Sequence, residues 1–168
     1  MKRTSVPTSG RRQHQHLSES EMIENISRQI LLVEDSPSDA HLAMRAFSQS
    51  TFRSTVNHAK DGSEALAMLR REGEFYQCPR PDLIFLDLNM PRVNGRQVLD
   101  ELRVDPDLGL IPIVVLSTST DDADVLDAYR LGSNSYVVKP VDLNEFFTVI
   151  EAVQAYWFRF CALPVSQN

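Results

Sequence analysis

The stretch PDLIFLDLNMPRVNG, residues 81–95, decides the fold of this chain. An apolar run, residues 83–86, ends in a single carboxylate, Asp87, and Pro91 and Gly95 then break the backbone. A continuous apolar run of this length between turn residues predicts a strand buried on both faces. The carboxylate at its exit either caps the following turn or has a charged partner, because an unpaired buried charge is costly.

Three further apolar runs also end in polar residues: one at an acidic pair, one at a serine and one at a lysine. Helical patterns of about 10–15 residues separate the runs, which is the spacing of repeated strand–helix units. Parallel strands of such units end at one edge of the sheet, where open α/β sheets bind ligands. We therefore expect five polar side chains to meet at that edge: Glu34, Asp35, Asp87, Ser117 and Lys139.

The composition predicts one well-buried cytoplasmic domain. The chain has 168 residues, enough for one ordinary domain and too few for two. A net charge of −6 without a basic cluster argues against a nucleic-acid-binding face. No apolar run approaches the ~20 residues of a membrane span, and no secretory signal follows the N-terminus. The two cysteines and four histidines lack the spacing of metal ligands.

Three regions follow one another along the chain. Residues 1–25 are polar and without periodicity, which predicts a flexible N-terminal arm. Residues 26–160 contain five strand–helix units, and right-handed crossovers between them predict a three-layer α/β sandwich. Residues 161–168 form a short C-terminal tail. Ser36 followed by Pro37 predicts the start of the first helix, and Asp142 caps the last one.

The polar residues, in this order and in these elements, resemble a CheY-like receiver domain of a two-component response regulator, over about residues 28–157. The resemblance implies a flavodoxin-like, doubly wound (βα)5 parallel sheet with strand order 2-1-3-4-5. The motifs DLNMPRVNG and NSYVVKP, the aromatic ending AYWF at residues 155–158 and the following Leu163-Pro164 are similar to the single-domain regulators that partner phytochrome-type histidine kinases.

This resemblance implies a phosphoacceptor signalling protein, not an enzyme. Asp87 would take a phosphoryl group from a sensor histidine kinase as an acyl phosphate. The ammonium of Lys139 would neutralise phosphoryl charge, and the Lys139–Pro140 bond resembles the family's cis peptide. Ser117 would be the switch hydroxyl and Tyr136 the aromatic residue that moves with it. A half-buried strand aromatic without such a function is the other reading of Tyr136.

A divalent cation is expected at the acidic end of the site. Three carboxylates in one pocket repel each other, and a cation removes that repulsion. Oxygen ligands without thiolate or imidazole indicate Mg²⁺ or Mn²⁺. By the resemblance, Asp35 and Asp87 would bind the ion directly, Glu34 through a water, and Asn89 by its backbone carbonyl. Most receivers have an aspartate where this chain has Glu34, so Glu34 is a mild departure from the family pattern.

Three other classes compete with the receiver. An aspartate-nucleophile, Mg²⁺-dependent phosphatase carries its nucleophile on the first strand with a second aspartate two residues later, where this chain has Asn89. A receiver-like module that only binds partners would not need the complete acidic pocket. An FMN protein of flavodoxin type would need a phosphate-binding first loop rich in Thr, Ser and Gly, but the loop Glu34-Asp35-Ser36-Pro37 would repel a phosphate in the absence of a metal.

The aromatic ending predicts a homodimer contact. The last helix has a core-facing apolar stripe at helical spacing, and several aromatic residues near its end do not fit that stripe. Exposed contiguous aromatics usually mark an interface. The alternative is that the chain after Tyr156 folds back over its own domain. The predicted dimer contact consists of Phe147, Tyr156, Trp157 and Phe158, in an aromatic surface that also includes Phe160.

Overall fold

The computed structural model describes residues 27–164, so the predicted arm and the last four tail residues lie outside the described residues. Within this range, five parallel strands form one sheet in the order β2-β1-β3-β4-β5, which confirms the predicted fold class. The strands are β1 Arg28–Val33, β2 Ser54–Ala59, β3 Leu83–Leu86, β4 Ile113–Ser117 and β5 Ser135–Val138. The helices are α1 Pro37–Gln49, α2 Gly62–Arg70, α3 Gly95–Val104, α4 Asp122–Arg130 and α5 Leu143–Ala155.

Two apolar clusters, one on each face of the sheet, form the core. Successive strand residues point to opposite faces, so Leu31 and Val33 of β1 belong to one cluster and Ile30 and Leu32 to the other. Helices α2, α3 and α4 contribute to the first cluster, and α1 and α5 to the second. The sheet is therefore covered on both faces, as a parallel sheet requires.

The loop after β3 folds tightly against the end of its own strand. Gly95 lies so close that a Cβ atom there would be 2.3 Å from the backbone oxygen of Asp87. Asn94 caps α3 in a reciprocal capping box with Gln97. Arg92 has a left-handed backbone with φ of 63°, and its guanidinium forms a 2.8 Å ion pair with Asp61 at the start of α2. These contacts fix the chain that leaves Asp87.

The end of the chain differs from its predicted arrangement. After α5 the backbone forms a π-helical turn, Tyr156–Phe160, in which the Cys161 amide donates to the Tyr156 carbonyl at 3.1 Å. Phe158 is only 3% exposed and packs in an edge-to-face contact with Phe52, with ring centroids 6.3 Å apart. The prediction that Phe158 belongs to an exposed dimer contact is therefore wrong.

Phe158 is buried because of the spacing of the buried positions along α5 and the turn that follows it. They recur every four residues, and the polar side chain of Gln154 occupies one of them: Phe146, Ile150, Gln154 and Phe158. Phe147 and Trp157 are partly buried against the same cluster, whereas Tyr156 is 57% and Phe160 73% exposed. The aromatic ending thus divides into a buried and an exposed part.

No helix among residues 27–164 is long and apolar enough to cross a membrane.

Candidate functional site

Four strand ends bring the predicted polar residues to one edge of the sheet. Backbone hydrogen bonds hold neighbouring ends together: the Asp87 amide donates to the Val33 carbonyl at 3.0 Å, and the Lys139 amide donates to the Ser117 carbonyl at 2.8 Å. The imidazole Nε2 of His58 lies 2.8 Å from the Glu34 carbonyl, which fixes the start of the acidic loop. The strand ends thus position the site at the carboxyl edge of the sheet.

The ammonium of Lys139 is the centre of the ionic contacts. Its Nζ donates to Glu34 Oε2 at 2.6 Å, to Asp39 Oδ2 at 3.1 Å and to Asp87 Oδ2 at 3.3 Å. The side chains of Lys139, Glu34 and Asp87 are nearly buried, while that of Asp39 is 44% exposed. A buried ammonium held by several carboxylates stays charged and can neutralise further negative charge beside it.

Burial and ion pairing act in opposite directions on the two innermost charges. Burial raises the pKa of Glu34 above its ordinary value, although the hydrogen bond from Lys139 opposes that shift. Burial by itself would lower the pKa of Lys139, but the hydrogen bond to Glu34 and the charges of Asp87 and Glu34 outweigh it and raise the pKa. Lys139 is therefore cationic throughout the physiological pH range.

Glu34, Asp35 and Asp87 form a cluster that fits a divalent cation. Each residue offers a carboxylate oxygen, and these oxygens lie within 4.8 Å of one another. The donor set consists of oxygens alone, which suits hard cations such as Mg²⁺ or Mn²⁺. The Asn89 backbone amide donates to Asp87 Oδ1 at 2.9 Å. This bond ties Asn89, whose carbonyl is the predicted fourth ligand, to the Asp87 carboxylate.

The opposite side of the site consists of hydroxyl groups. Ser117 is fully buried, and its Oγ accepts a hydrogen bond from the Ser119 amide at 3.2 Å. The Asn89 side-chain amide is 3.5 Å from the same Oγ. The Tyr136 hydroxyl donates to the Ser119 carbonyl at 3.0 Å, so the aromatic residue is tied to the segment that follows Ser117. Both predicted switch residues therefore adjoin the same loop.

The sequence prediction missed two acidic residues of the site and was wrong about one peptide bond. Asp39 lies in the first turn of α1, directly after the acidic loop, and that proximity was the available signal. Asp124 in α4 accepts a 2.6 Å hydrogen bond from Ser119 and pairs with Arg96, a contact without a sequence signal. All peptide bonds of residues 27–164 are trans, so the cis Lys139–Pro140 bond is not observed.

The response regulator receiver domain family matches residues 30–151 of the chain, which therefore belongs to that family. The chain is 39% identical over 142 residues to the response regulator Rcp1 of Synechocystis sp., covering 84% of this chain and 97% of Rcp1.

Solved structures give the same result. The phosphorylated cyanobacterial phytochrome response regulator RcpA is 41% identical, with a TM-score of 0.79 over 83% of this chain and 100% of RcpA. The Mn²⁺-bound form of Rcp1 is 40% identical, with a TM-score of 0.76 over 82% of this chain and 99% of that structure. Receivers of this family are signalling proteins, and the similarity extends to regulators named for phytochromes.

Proposed function

We propose that this receiver accepts a phosphoryl group from a sensor histidine kinase on Asp87 and passes the signal on through protein contacts. One observation carries the proposal. The Asp87 carboxylate ends a buried strand, belongs to the three-carboxylate cluster and lies 3.3 Å from the Lys139 ammonium. A nucleophilic oxygen, ligands for a cation and a fixed positive charge are the groups that phosphoryl transfer to a carboxylate needs.

The transfer exchanges one bond for another. An Asp87 carboxylate oxygen forms a P–O bond while the P–N bond of the kinase phosphohistidine breaks, and the imidazole leaves with the bonding electron pair. Lys139 stabilises negative charge on the phosphoryl oxygens. Asp35 and Asp87 would hold Mg²⁺ directly, with Glu34 acting through a water and Asn89 through its carbonyl. When bound, the cation supplies the remaining charge neutralisation.

The switch would follow from the new phosphoryl oxygens. Ser117 can donate its hydroxyl proton to one of them only by moving toward Asp87, which would release the Ser119 amide from its Oγ. The Ser119 carbonyl accepts from Tyr136, so a shift of this loop would draw the aromatic ring with it. The phosphorylation signal would thus reach α4 and β5, where Leu126, Tyr129 and Val138 are exposed apolar residues.

Intact-mass measurement tests the phosphoacceptor. Wild-type protein incubated with Mg²⁺ and acetyl phosphate should gain one phosphoryl group, and Asp87→Asn should gain none, because the amide lacks the nucleophilic oxygen. Asp121→Asn is a matched control, because the Asp121 side chain caps α4 by accepting from the Ala123 amide and its replacement should leave phosphate uptake unchanged. Normal uptake by Asp87→Asn, with thermal unfolding showing an intact fold, would refute the assignment.

A phytochrome-type kinase is the proposed phosphodonor, and the cytoplasm the proposed compartment. The support is the similarity to RcpA, described as a phytochrome response regulator, and to Rcp1. Phosphotransfer rates should be compared across histidine kinases from the source organism under identical conditions. We expect the phytochrome-type kinases to transfer fastest, and uniform rates across the panel would contradict this choice.

A homodimer through α5 and the aromatic ending is also proposed. The support is the exposure of Tyr156 and Phe160, the edge-to-face contact of half-buried Trp157 with Tyr156, and a further half-buried ring, Phe147, on α5. Such aromatic patches are typical of interfaces. Truncation before Phe158 would remove a core residue and is therefore an unsuitable test.

Surface substitutions provide the test of the dimer. Sedimentation equilibrium should show a dimer for the wild type and a monomer for Tyr156→Ala combined with Phe160→Ala. Tyr76→Ala is the control, because Tyr76 is equally exposed, at 66%, on a loop after α2. A wild-type monomer at tens of micromolar, or an unchanged dimer in the double variant, would exclude this contact.

A further inference from the structure

Asp39 is the third acceptor of the Lys139 ammonium, and it lies outside the proposed metal cluster. We propose that Asp39 is a positioning residue that holds Lys139 before phosphorylation and competes with the phosphoryl group on Asp87 for it. This inference rests on the proposed phosphoacceptor function. It assigns a contribution to a residue of α1 that binds neither the cation nor the phosphoryl group.

The hydrogen bonds of Lys139 show why a competition arises. An ammonium has three N–H donors, and here they meet three carboxylates: Glu34, Asp39 and Asp87. A phosphoryl oxygen on Asp87 can be bound only if one of these bonds is released or rearranged. Releasing Glu34 would cost a buried carboxylate its direct 2.6 Å ion pair, and water could not replace that contact, which is strongly unfavourable.

Asp39 is the partner that can be released most easily. Its side chain is 44% exposed, so water can solvate the carboxylate once Lys139 moves away. A cavity of about 180 Å³ is lined by both Asp39 and Lys139, which leaves space for both side chains to change rotamer. The Asp39 amide is held by the Ser36 hydroxyl at 3.4 Å, so the backbone can stay in place.

The charge of Asp39 has a second effect in the same direction. It adds a carboxylate near an incoming dianionic phosphoryl group. Asp39 lies outside the cluster of Glu34, Asp35 and Asp87, so a cation bound by that cluster would not be coordinated by Asp39. Both effects oppose phosphorylation. Replacing Asp39 with a neutral isostere should therefore increase the rate and the final extent of phosphate uptake.

The test is the rate of phosphorylation by acetyl phosphate in Mg²⁺, followed by intact mass. We expect Asp39→Asn to react about three- to tenfold faster than wild type, and Asp39→Glu to react near the wild-type rate. Glu145→Gln is the matched control: it removes an exposed acid from the first turn of α5 and should change nothing. The gain of Asp39→Asn should shrink at high salt, because exposed charges are screened.

A double-mutant cycle with Lys139→Ala separates positioning from a simple charge effect. If Asp39 acts through Lys139, Asp39→Asn should have less effect when Lys139 is absent. An unchanged or slower rate for Asp39→Asn, or an effect that persists fully in the Lys139→Ala background, would overturn the inference. A wild-type protein that takes up no phosphate would instead overturn the proposed function and the competition with it.

Discussion

The two halves of the site differ in how firmly they are held. The ionic half, defined as Glu34, Asp35, Asp39, Asp87 and Lys139, contains charge-assisted hydrogen bonds of 2.6 to 3.3 Å around one ammonium. The hydroxyl half, defined as Ser117, Ser119 and Tyr136, is joined internally by neutral hydrogen bonds of 3.0 and 3.2 Å, and Ser119 also donates to the Asp124 carboxylate. Charge-assisted bonds are about twice as strong as neutral ones.

This difference indicates that the two halves of the site contribute to different steps, phosphate acceptance and signal transmission. Lys139 keeps its charge beside Asp87, so it can stabilise a phosphoryl group by exchanging a single hydrogen bond, which favours transfer. Neutral hydrogen bonds contribute about 1 kcal/mol each, so those of the hydroxyl half can be exchanged for new ones at low cost. We therefore expect the ionic half to determine whether phosphate is accepted and the hydroxyl half to determine whether its presence is transmitted.

The largest effect should come from the proposed direct metal ligands. Asp35→Asn should weaken Mg²⁺ binding at least about tenfold in calorimetry, because a charged ligand is lost. Glu34→Gln should weaken it less, since both Glu34 oxygens already accept hydrogen bonds, from Ser36 and Lys139. Equal losses in the two variants would contradict this ranking, and circular dichroism should show that both retain the fold.

A smaller effect on uptake and a clear effect on switching are expected for Lys139→Arg. The positive charge remains, so some phosphate should be accepted. The planar guanidinium cannot reproduce the contacts of the compact ammonium, so the signal should be lost. The measurement compares amide chemical shifts of residues 117–119 before and after phosphorylation. Wild-type shift changes in the phosphorylated variant would show that Lys139 does not couple the two halves.

The smallest effects on phosphate uptake should come from the hydroxyl half. Ser117→Ala should keep phosphorylation within about threefold of wild type but lose about 1 kcal/mol of the phosphorylation-dependent change in partner or self-association. Tyr136→Phe should affect uptake still less, because only its bond to the Ser119 carbonyl is removed. A severe loss of uptake in either variant would remove the distinction between the halves. Thr118→Ala is the control, because it removes a hydroxyl from the same loop at a residue that belongs to neither half.

The sequence predicted the fold and most of the ionic half, for one physical reason. Buried strands have recognisable apolar runs, and the residue after each run must lie at the sheet edge, as it does for Asp87 and Lys139. Side chains supplied by helices carry no such marker. Asp39 and Asp124 occupy first turns, where acids are common because they stabilise the helix dipole. The position of Asp39 directly after the acidic loop was its one sequence signal, and Asp124 had none.

The aromatic ending could be predicted less well. The hydrophobic pattern of α5 is interrupted by Gln154, a buried residue whose side-chain atoms have no hydrogen-bond partner among the described residues. A polar residue at a buried position conceals the four-residue spacing that leads to Phe158. The separation of Phe158 from exposed Tyr156 and Phe160 depends on tertiary packing against Phe52.

Chemical trapping identifies the residue that carries the phosphoryl group. Wild-type protein phosphorylated in Mg²⁺ would be reduced with borohydride, which converts an aspartyl phosphate to homoserine, and then digested and sequenced by mass spectrometry. We expect homoserine at position 87 in place of Asp87, and no homoserine there when Mg²⁺ is chelated. Homoserine at Asp35 or Asp39, with Asp87 unmodified, would contradict this expectation.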